Sequence, residues 1–568
     1  MGTRHVISAG HPLAAAAGYR LLEAGGNAVD AGVASGMVIN VVLAENTNFG
    51  GVAPIMIYRA QDQHLTTVSG LGRWPKTASI EYFLEHCDGE LPQDVRRAVV
   101  PAAPDAWLTA IERYGTLSLE EVMTPALELA ADGFPLSPVV RNQILGEVEI
   151  ISRWPANTEI FLRDGEIPPV GTLIVQKALS RTFERLIDVE RKHRHLGREA
   201  AIRAARDEFY HGSIADDMEA YSQDNGGFLT REDFSSFSVR EEPVVRGFFQ
   251  DYEICSCGPW CQGPVVPQVL QTLSNDDLHA LGHNSSAYIH LLAEAMNLSF
   301  SDRDRYYGDP DLVDVPMDAL MDPRYLERRR AQINPDRAFG QMPPPGLINS
   351  GEPWGRGDWQ PPTPHESSSR QERETDTSYT CVVDQWGNAF SATPSDANTR
   401  APIAPELGFS LSSRGTQSWL DENHASKLEP GKRPRLTPNP AMAFKHGRLF
   451  MPFGCPGGDA QCQAMVQTFL NITVFGMNAQ EAIEAPRFTT WSFPDSFWPH
   501  DYLPGRLHVE GRIAESVTEA LNTLGHDVRR VNDWEPMDMG VMSAITVDEN
   551  GLRAGGADPR RDAYAIGR

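Results

Sequence analysis

An α/β protein folded as one continuous globule is the architecture this sequence predicts, and three stretches carry the prediction. Residues 377–393 alternate in the manner of two strands joined by a turn. Residues 11–44 carry apolar positions at helical spacing, broken once by Gly25-Gly26-Asn27. The run MPFGCPGG over residues 451–458 leads directly into a helical pattern over residues 459–474, marked by Met465, Phe469, Leu470 and Ile472.

From the N-terminus, the first helix is set by Leu13, Ala17, Leu21 and Leu22 and stops at Gly25-Gly26, after which Asn27 can cap the next helix. That next segment, residues 28–44, is the most apolar in the chain. It nevertheless holds Asp30, Asn40, Gly32 and Gly36 and falls short of the ~20 apolar residues a membrane span needs, so a buried helix is expected. Strands are expected at residues 55–58 and 65–69, and mostly helices between Pro125 and Ile214. The Arg- and Lys-rich run 190–206 is interrupted by Glu190 and Glu199 and lacks aromatic residues, which reads as a solvated helix face and not a nucleic-acid surface. The series Asp302, Arg303, Asp304 and Arg305 reads as an ion-pair network whose members satisfy one another. Residues 341–373, crowded with Pro, Gly, Ser and charge, are expected to form an exposed, mobile connector that runs up to Asp376 and Thr377. In the hairpin beyond it, Tyr379, Cys381 and Val383 fall on one side and Ser378, Thr380 and Val382 on the other, with turn residues at 384–388.

Composition narrows the function classes. The chain has 568 residues, 41% of them hydrophobic and 22% charged, as expected of a soluble globular protein. Fifty Lys and Arg against 76 Asp and Glu give a net charge of −26, which disfavours nucleic acid and anionic membranes as partners. Seven cysteines, an odd number over a long chain, suit the reduced thiols of a cytoplasmic protein. Cys255, Cys257 and Cys261 are closely spaced, but no second Cys/His cluster matches them, so no metal is expected. The first residues lack the basic, apolar and small-residue succession of a signal peptide.

DTSYTCVVDQWGNAFSAT, from Asp376, resembles the start of the small subunit of the γ-glutamyltranspeptidase family, which reads Thr-Thr-His-x-Ser-Val-Val-Asp-x-x-Gly-Asn-Ala. Thr377 takes the place of the N-terminal nucleophile, with Ser378 and Tyr379 departing from the pattern. The resemblance extends over nearly the whole chain: HPLAAAAGYRLLEAGGNAVDAGVAS from His11, NFGG from Asn48, NGGFLT from Asn225, HLLAEAMNLSFSDRDRYYGDPDLVDVP from His290, and AGGADPRRDAYAIG from Ala554. It implies an N-terminal-nucleophile (Ntn) hydrolase, an αββα sandwich made from a large segment, 1–376, and a small one, 377–568, without metal or organic cofactor. It also implies cleavage between Asp376 and Thr377. The freed α-amine, with a reference pKa of about 7.7–8.0, would then be general base for the hydroxyl on the same residue. Gly457 and Gly458 match the family's oxyanion glycines, and two glycines before a helix suit that role.

The acyl pocket departs from the family. Leu71 stands where an Arg holds the γ-glutamyl α-carboxylate, Thr416-Gln417 where an acidic residue holds the ammonium, Leu436-Thr437 where a Ser pair stands, and Ala397 where an Asn stands. Trp260 and Gln262 also depart, in the segment from Ser256. Arg73 and Arg414 lie near those positions and could offer a guanidinium fork to a carboxylate, with Ser395 and Thr437 as hydroxyl partners. Three functions remain open. One is a self-cleaving amidohydrolase for the amide of a small carboxylate-bearing acyl group, with the two segments as its subunits and a dimer of these as a further expectation. Another is a γ-glutamyl hydrolase or transferase with a rearranged pocket. The third is an uncleaved relative that serves as a binding protein.

Overall fold

His11 caps the helix Pro12–Glu23, its Nδ1 accepting from Leu13 N at 3.2 Å. Asn27 and Asp30 close a reciprocal capping box on the next helix, Ala28–Val42. Every residue of that second helix is buried, as its unbroken apolar content requires. Gly32 and Gly36 permit the close approach: a Cβ at Gly32 would fall 2.1 Å from the Phe390 ring, and one at Gly36 would fall 2.5 Å from Trp107. The structure, a computed structural model, describes residues 1–348, 360–365 and 376–568.

Residues 377–393 form the expected hairpin, with strands Thr380–Val383 and Ala389–Ala392 antiparallel and Val383 opposite Ala389. Asp384 shapes the turn by accepting from Trp386 N and Asn388 N, each at 2.9 Å. The first strand begins at Thr380 and not at Thr377: Ser378 N still donates to Pro394 O in the hairpin's register at 2.9 Å, but proline has no N–H to return the bond.

The hairpin sits inside a seven-stranded sheet ordered Tyr564–Gly567, Val6–Ala9, Thr380–Val383, Ala389–Ala392, Ile55–Arg59, His64–Val68 and Glu241–Glu242. A six-stranded sheet runs Arg553–Ala557, Ser543–Val547, Arg448–Gly454, Ala441–Lys445, Tyr252–Ser256 and Val245–Phe249. Both sheets mix strands from before and after Thr377, so a cut there leaves each core shared between the two segments. Alternation along the strand decides the layers. Tyr379, Cys381 and Val383 face the second sheet and pack with Cys255, Met442, Phe444 and Ile545. Val382 points the other way, into the core it shares with the two opening helices. Helices Val265–Thr272, Ser286–Tyr306 and Ala460–Thr473 cover the outer face of the second sheet, completing an αββα order. Tyr379 fills the space between the sheets. Its hydroxyl lies 2.6 Å from Ser391 Oγ, and a Cβ at Gly454 would come within 2.2 Å of its ring.

Two expectations need correction. The 302–305 charges pair with distant partners and not with each other: Asp302 with Arg329 at 3.0 Å, Arg303 with Asp459, and Asp304 with His424 at 3.5 Å. Successive residues on a helix do not face one another. Of the connector expected over 341–373, residues 349–359 and 366–373 lie outside the described residues. Gln341 and most of the described residues 360–365 are exposed as expected, but residues 342–348 are not. Met342 is buried, its N–H donates to Tyr502 Oη at 2.8 Å, and Gly346 N donates to Asp302 Oδ1 at 2.9 Å. Docking on helix Ser286–Tyr306 gives this proline-rich backbone the partners it would otherwise find in water. All seven cysteines are free thiols. Among the described residues, no helix is long and apolar enough to cross a membrane.

Candidate active site

Thr377 lies just ahead of the central hairpin, 1% exposed. The turn that follows the second hairpin strand folds beneath it and places Ser395 Oγ 2.8 Å from Thr377 Oγ1. That turn is clamped by the glycine-rich turn from Asn48. Ser395 N donates to Val52 O at 3.0 Å, and a Cβ at Gly51 would fall 2.5 Å from Ser395 O. The next residue, Asp396, adopts φ +91°, a conformation L-residues rarely take and one that surrounding bonds must hold. Its carboxylate accepts from Ser412 Oγ and Ser413 Oγ, each at 2.6 Å, and from Ser413 N at 3.0 Å. Those bonds anchor the chain immediately before Arg414. Burial pushes the Asp396 carboxyl up, and the neighbouring Arg414 opposes that shift.

In the uncleaved chain the Thr377 hydroxyl lies against the Asp376 carbonyl oxygen. Ser395 Oγ donates to the same oxygen at 2.9 Å. The Asp376 side chain is held at both oxygens: Arg414 Nη2 donates to Oδ1 at 2.6 Å, and Ala397 N donates to Oδ2 at 2.6 Å. Arg414 Nη2 also donates to Ser395 Oγ at 2.6 Å, and the guanidinium lies 5.4 Å from the Phe497 ring centre. Asp376, Thr377, Ser395 and Arg414 are therefore one buried hydrogen-bonded unit, with a carboxylate and a guanidinium inside it. Such a unit is stable only because the two charges are paired.

Gly457 and Gly458, at φ +126° and +55°, make the turn into helix Ala460–Thr473. Their carbonyl oxygens accept from Ala460 N at 3.0 Å and from Gln262 Nε2 at 2.9 Å. Within the first turn of that helix, the Gln461 amide lies 3.5 Å from Thr377 Oγ1 and 3.1 Å from Thr437 O. The helix thus begins beside the threonine. Thr437 is one side chain removed from it, and its Oγ1 accepts from Gln417 Nε2 at 2.9 Å. Arg73 is drawn elsewhere: its guanidinium donates to Asp309 at 3.1 Å, Asp311 at 2.6 Å and Gly431 O at 2.9 Å. Two carboxylates already occupy the fork that a ligand would need.

The polar family positions replaced by apolar ones meet in space. Leu71 and Leu436 pack with Val52, Cys257, Trp260 and Cys261 in a single apolar cluster. The departures at residues 71, 260 and 436 are consequently one change, an apolar filling.

A cavity of about 20 Å³, room for about one water, borders Thr377 and is lined also by Gly10, Glu45, Arg561 and Asp562. Neither Ser395 nor Arg414 lines it. Burial pushes the Glu45 carboxyl up to about 8, even though Asn46 Nδ2 donates to it at 2.7 Å and Arg561 acts against the shift. Among the described residues, His290, Glu294 and His526 could offer a metal three ligand atoms. Their polar atoms already have partners, some within the group and some outside it. His290 Nδ1 lies 2.8 Å from His526 Nε2, and Glu294 accepts from Asn297 Nδ2 at 3.1 Å and Phe339 N at 2.9 Å.

Sequence reasoning missed Asp396, Glu45, Gln461 and the N–H of Ala397. Asp396 follows Ser395 directly and is a short acidic residue in a turn, which is a usable signal. A backbone donor such as Ala397 N leaves none.

The family model for gamma-glutamyltranspeptidase matches residues 14–568. The chain is 31% identical to the glutathione hydrolase-like YwrD proenzyme of Bacillus subtilis (strain 168), over all of this chain and 99% of that protein. It is 30% identical to the acylase ACY 1 proenzyme of Pseudomonas sp. (strain V22), over all of this chain and 94% of that one. The crystal structure of cephalosporin acylase from Bacillus halodurans superposes with a TM-score of 0.84 at 25% identity, covering all of this chain and 96% of the other.

Proposed function

The chain belongs to the γ-glutamyltranspeptidase family of Ntn hydrolases, enzymes that generate an N-terminal nucleophile by self-cleavage, and on that premise we propose that Thr377 is this nucleophile. Its hydroxyl oxygen bonds to the Asp376 carbonyl carbon, the amide C–N bond breaks, and the hydroxyl proton ends on the released amine. Water then splits the ester, leaving a carboxylate on Asp376 and a free α-amine on Thr377. The mature enzyme repeats the sequence on an amide substrate, with that α-amine carrying the proton from hydroxyl to leaving group. Ser395 and Arg414 position the acyl group. The N–H groups of Gly457 and Gly458, at a helix N-terminus, hold the oxyanion.

The observation that carries the reading is the Thr377 hydroxyl set against the Asp376 carbonyl, with Ser395 Oγ donating to the same oxygen at 2.9 Å. The substrate is the amide of a small carboxylate-bearing acyl group. Against a γ-glutamyl donor stands the apolar cluster of Leu71 and Leu436. The named relatives include a glutathione hydrolase-like protein and acylases, so family membership leaves the acyl group to the pocket. Free thiols throughout support a reducing, cytoplasmic location. Intact-mass measurement of the purified protein tests the reading. Two fragments meeting between Asp376 and Thr377 are expected from the wild type and one whole chain from Thr377→Ala; cleavage of that bond in the alanine variant would refute the assignment.

A further inference from the structure

We propose that Asp376 is the precursor's own stand-in for the substrate acyl group, and that the mature site takes monoamides of four-carbon dicarboxylic acids, the succinyl class. This rests on the reading of Thr377 as nucleophile and names the acyl group that reading leaves open.

During self-cleavage the acyl carbon carried on Thr377 Oγ belongs to Asp376, and during turnover it belongs to the substrate. The two esters share an oxygen and a site. In Asp376 the free carboxylate is separated from the reacting carbonyl by two carbons, as in a succinyl group. The structure grips both ends of this unit. At the reacting end the carbonyl oxygen accepts from Ser395 Oγ at 2.9 Å. At the far end one carboxylate oxygen accepts from Arg414 Nη2 and the other from Ala397 N, each at 2.6 Å. Ser395 and Ala397 are separated by one residue, and that residue, Asp396, is held at φ +91° by the segment that also positions Arg414. The spacing between the carbonyl grip and the carboxylate grip is therefore built into a short, strained turn and does not adapt easily. A γ-glutamyl or glutaryl group places three carbons between carbonyl and carboxylate, one methylene too many for this spacing. A butyryl group has the right length and no charge for Arg414.

Cleavage leaves Asp376 as a chain end, and its departure vacates the Arg414 and Ala397 donors for an incoming carboxylate. Acylation then forms the C–O bond to Thr377, breaks the amide C–N bond and sends the proton to the leaving amine. Water releases the free dicarboxylate.

The test uses the self-cleaved wild-type enzyme with 4-nitroanilides of succinate, glutarate and butyrate and with γ-glutamyl 4-nitroanilide, together with calorimetric binding of free succinate and glutarate. Succinyl anilide is expected to exceed each of the others at least tenfold in kcat/KM, and succinate is expected to bind at least tenfold tighter than glutarate. In Arg414→Lys, the ratio of succinyl to butyryl turnover should fall at least tenfold. Turnover of the glutaryl or γ-glutamyl anilide equal to or above that of the succinyl compound overturns the inference and leaves Thr377 as nucleophile. Failure of every anilide removes the proposed amidohydrolase, and succinate binding no tighter than glutarate still overturns the acyl assignment without any turnover.

Discussion

Two flanks of the site are built from opposite materials. On one, Arg414 and the Ala397 N–H hold the Asp376 carboxylate at 2.6 Å each, while Ser395 Oγ donates to the Asp376 carbonyl at 2.9 Å. On the other, Leu71, Leu436 and Trp260 pack into an apolar cluster where the family keeps polar residues for glutamate. The first flank holds a charge at a set distance from the nucleophile; the second excludes one. On the proposed acyl assignment, the contrast teaches that carboxylate binding is moved within the pocket and not abandoned. A site that had only lost contacts would show a gap at residues 71 and 436, and here those side chains fill one another's space.

The comparison breaks most sharply at Arg414. Replacing it with Met leaves the Asp376 carboxylate buried without its guanidinium, a loss of roughly 3–5 kcal/mol. The Arg414→Met precursor is expected to cleave at least a hundredfold more slowly, followed by gel densitometry over time. A rate within threefold of wild type would mean that the polar flank is not structured around this pair. Next is Gly458, whose φ of +55° disfavours side chains. Gly458→Val should lower turnover by roughly 10²- to 10³-fold, the loss typical of one oxyanion donor, with self-cleavage less affected. Equal losses in both steps would show that one set of donors serves both. On the apolar flank, Leu71→Ala should cost roughly 2–3 kcal/mol of stability, near the low end for a buried Leu, because Trp260 can settle into the space. Chemical denaturation reads this, and the variant should gain no γ-glutamyl activity, since the cavity brings no cation with it.

Much of this contrast was legible in the sequence, for physical reasons that differ by flank. The hairpin and the capped helix pair follow from period-2 and period-3.6 patterns, whereas the αββα order was legible only through the family resemblance, since alternating strands and helices fit other α/β folds as well. Leu71, Leu436 and Trp260 were visible one at a time as departures, but that they touch is a property of the fold. Arg73 and Arg414 looked alike as candidates near the lost contacts. Only the structure separates them, because Asp309 and Asp311, remote in sequence, take Arg73. Ala397 was visible as a missing side chain, whereas its contribution is a backbone N–H that every residue but proline would supply. Asp396 acts through a strained φ, and Glu45 through burial, neither of which sequence spacing records.

Glu45 supplies the smallest expected effect and extends the comparison to a second carboxylate beside Thr377. Asp376 is buried against a guanidinium at 2.6 Å. Glu45 has Asn46 at 2.7 Å as its hydrogen-bond donor, and burial pushes its carboxyl up to about 8. The folded protein therefore keeps a proton on Glu45 that the unfolded chain gives up near pH 4.5. Between about pH 4.5 and 8 the folded state binds the extra proton, so this group makes stability fall as pH rises through that window and adds no further slope above it. Gln at this position is neutral at every pH and preserves the size of the side chain. Glu45→Gln should consequently flatten the decline in Tm between pH 5.5 and 8, with the gain over wild type largest at the alkaline end. In a chain of 568 residues a change of 1 kcal/mol moves Tm by only about 1 °C, so the shift is small and needs scanning calorimetry at matched rates. An unchanged pH slope in the Gln variant would mean that Glu45 is ionised in the folded protein, held by Arg561, and that both carboxylates beside Thr377 are charge-paired after all.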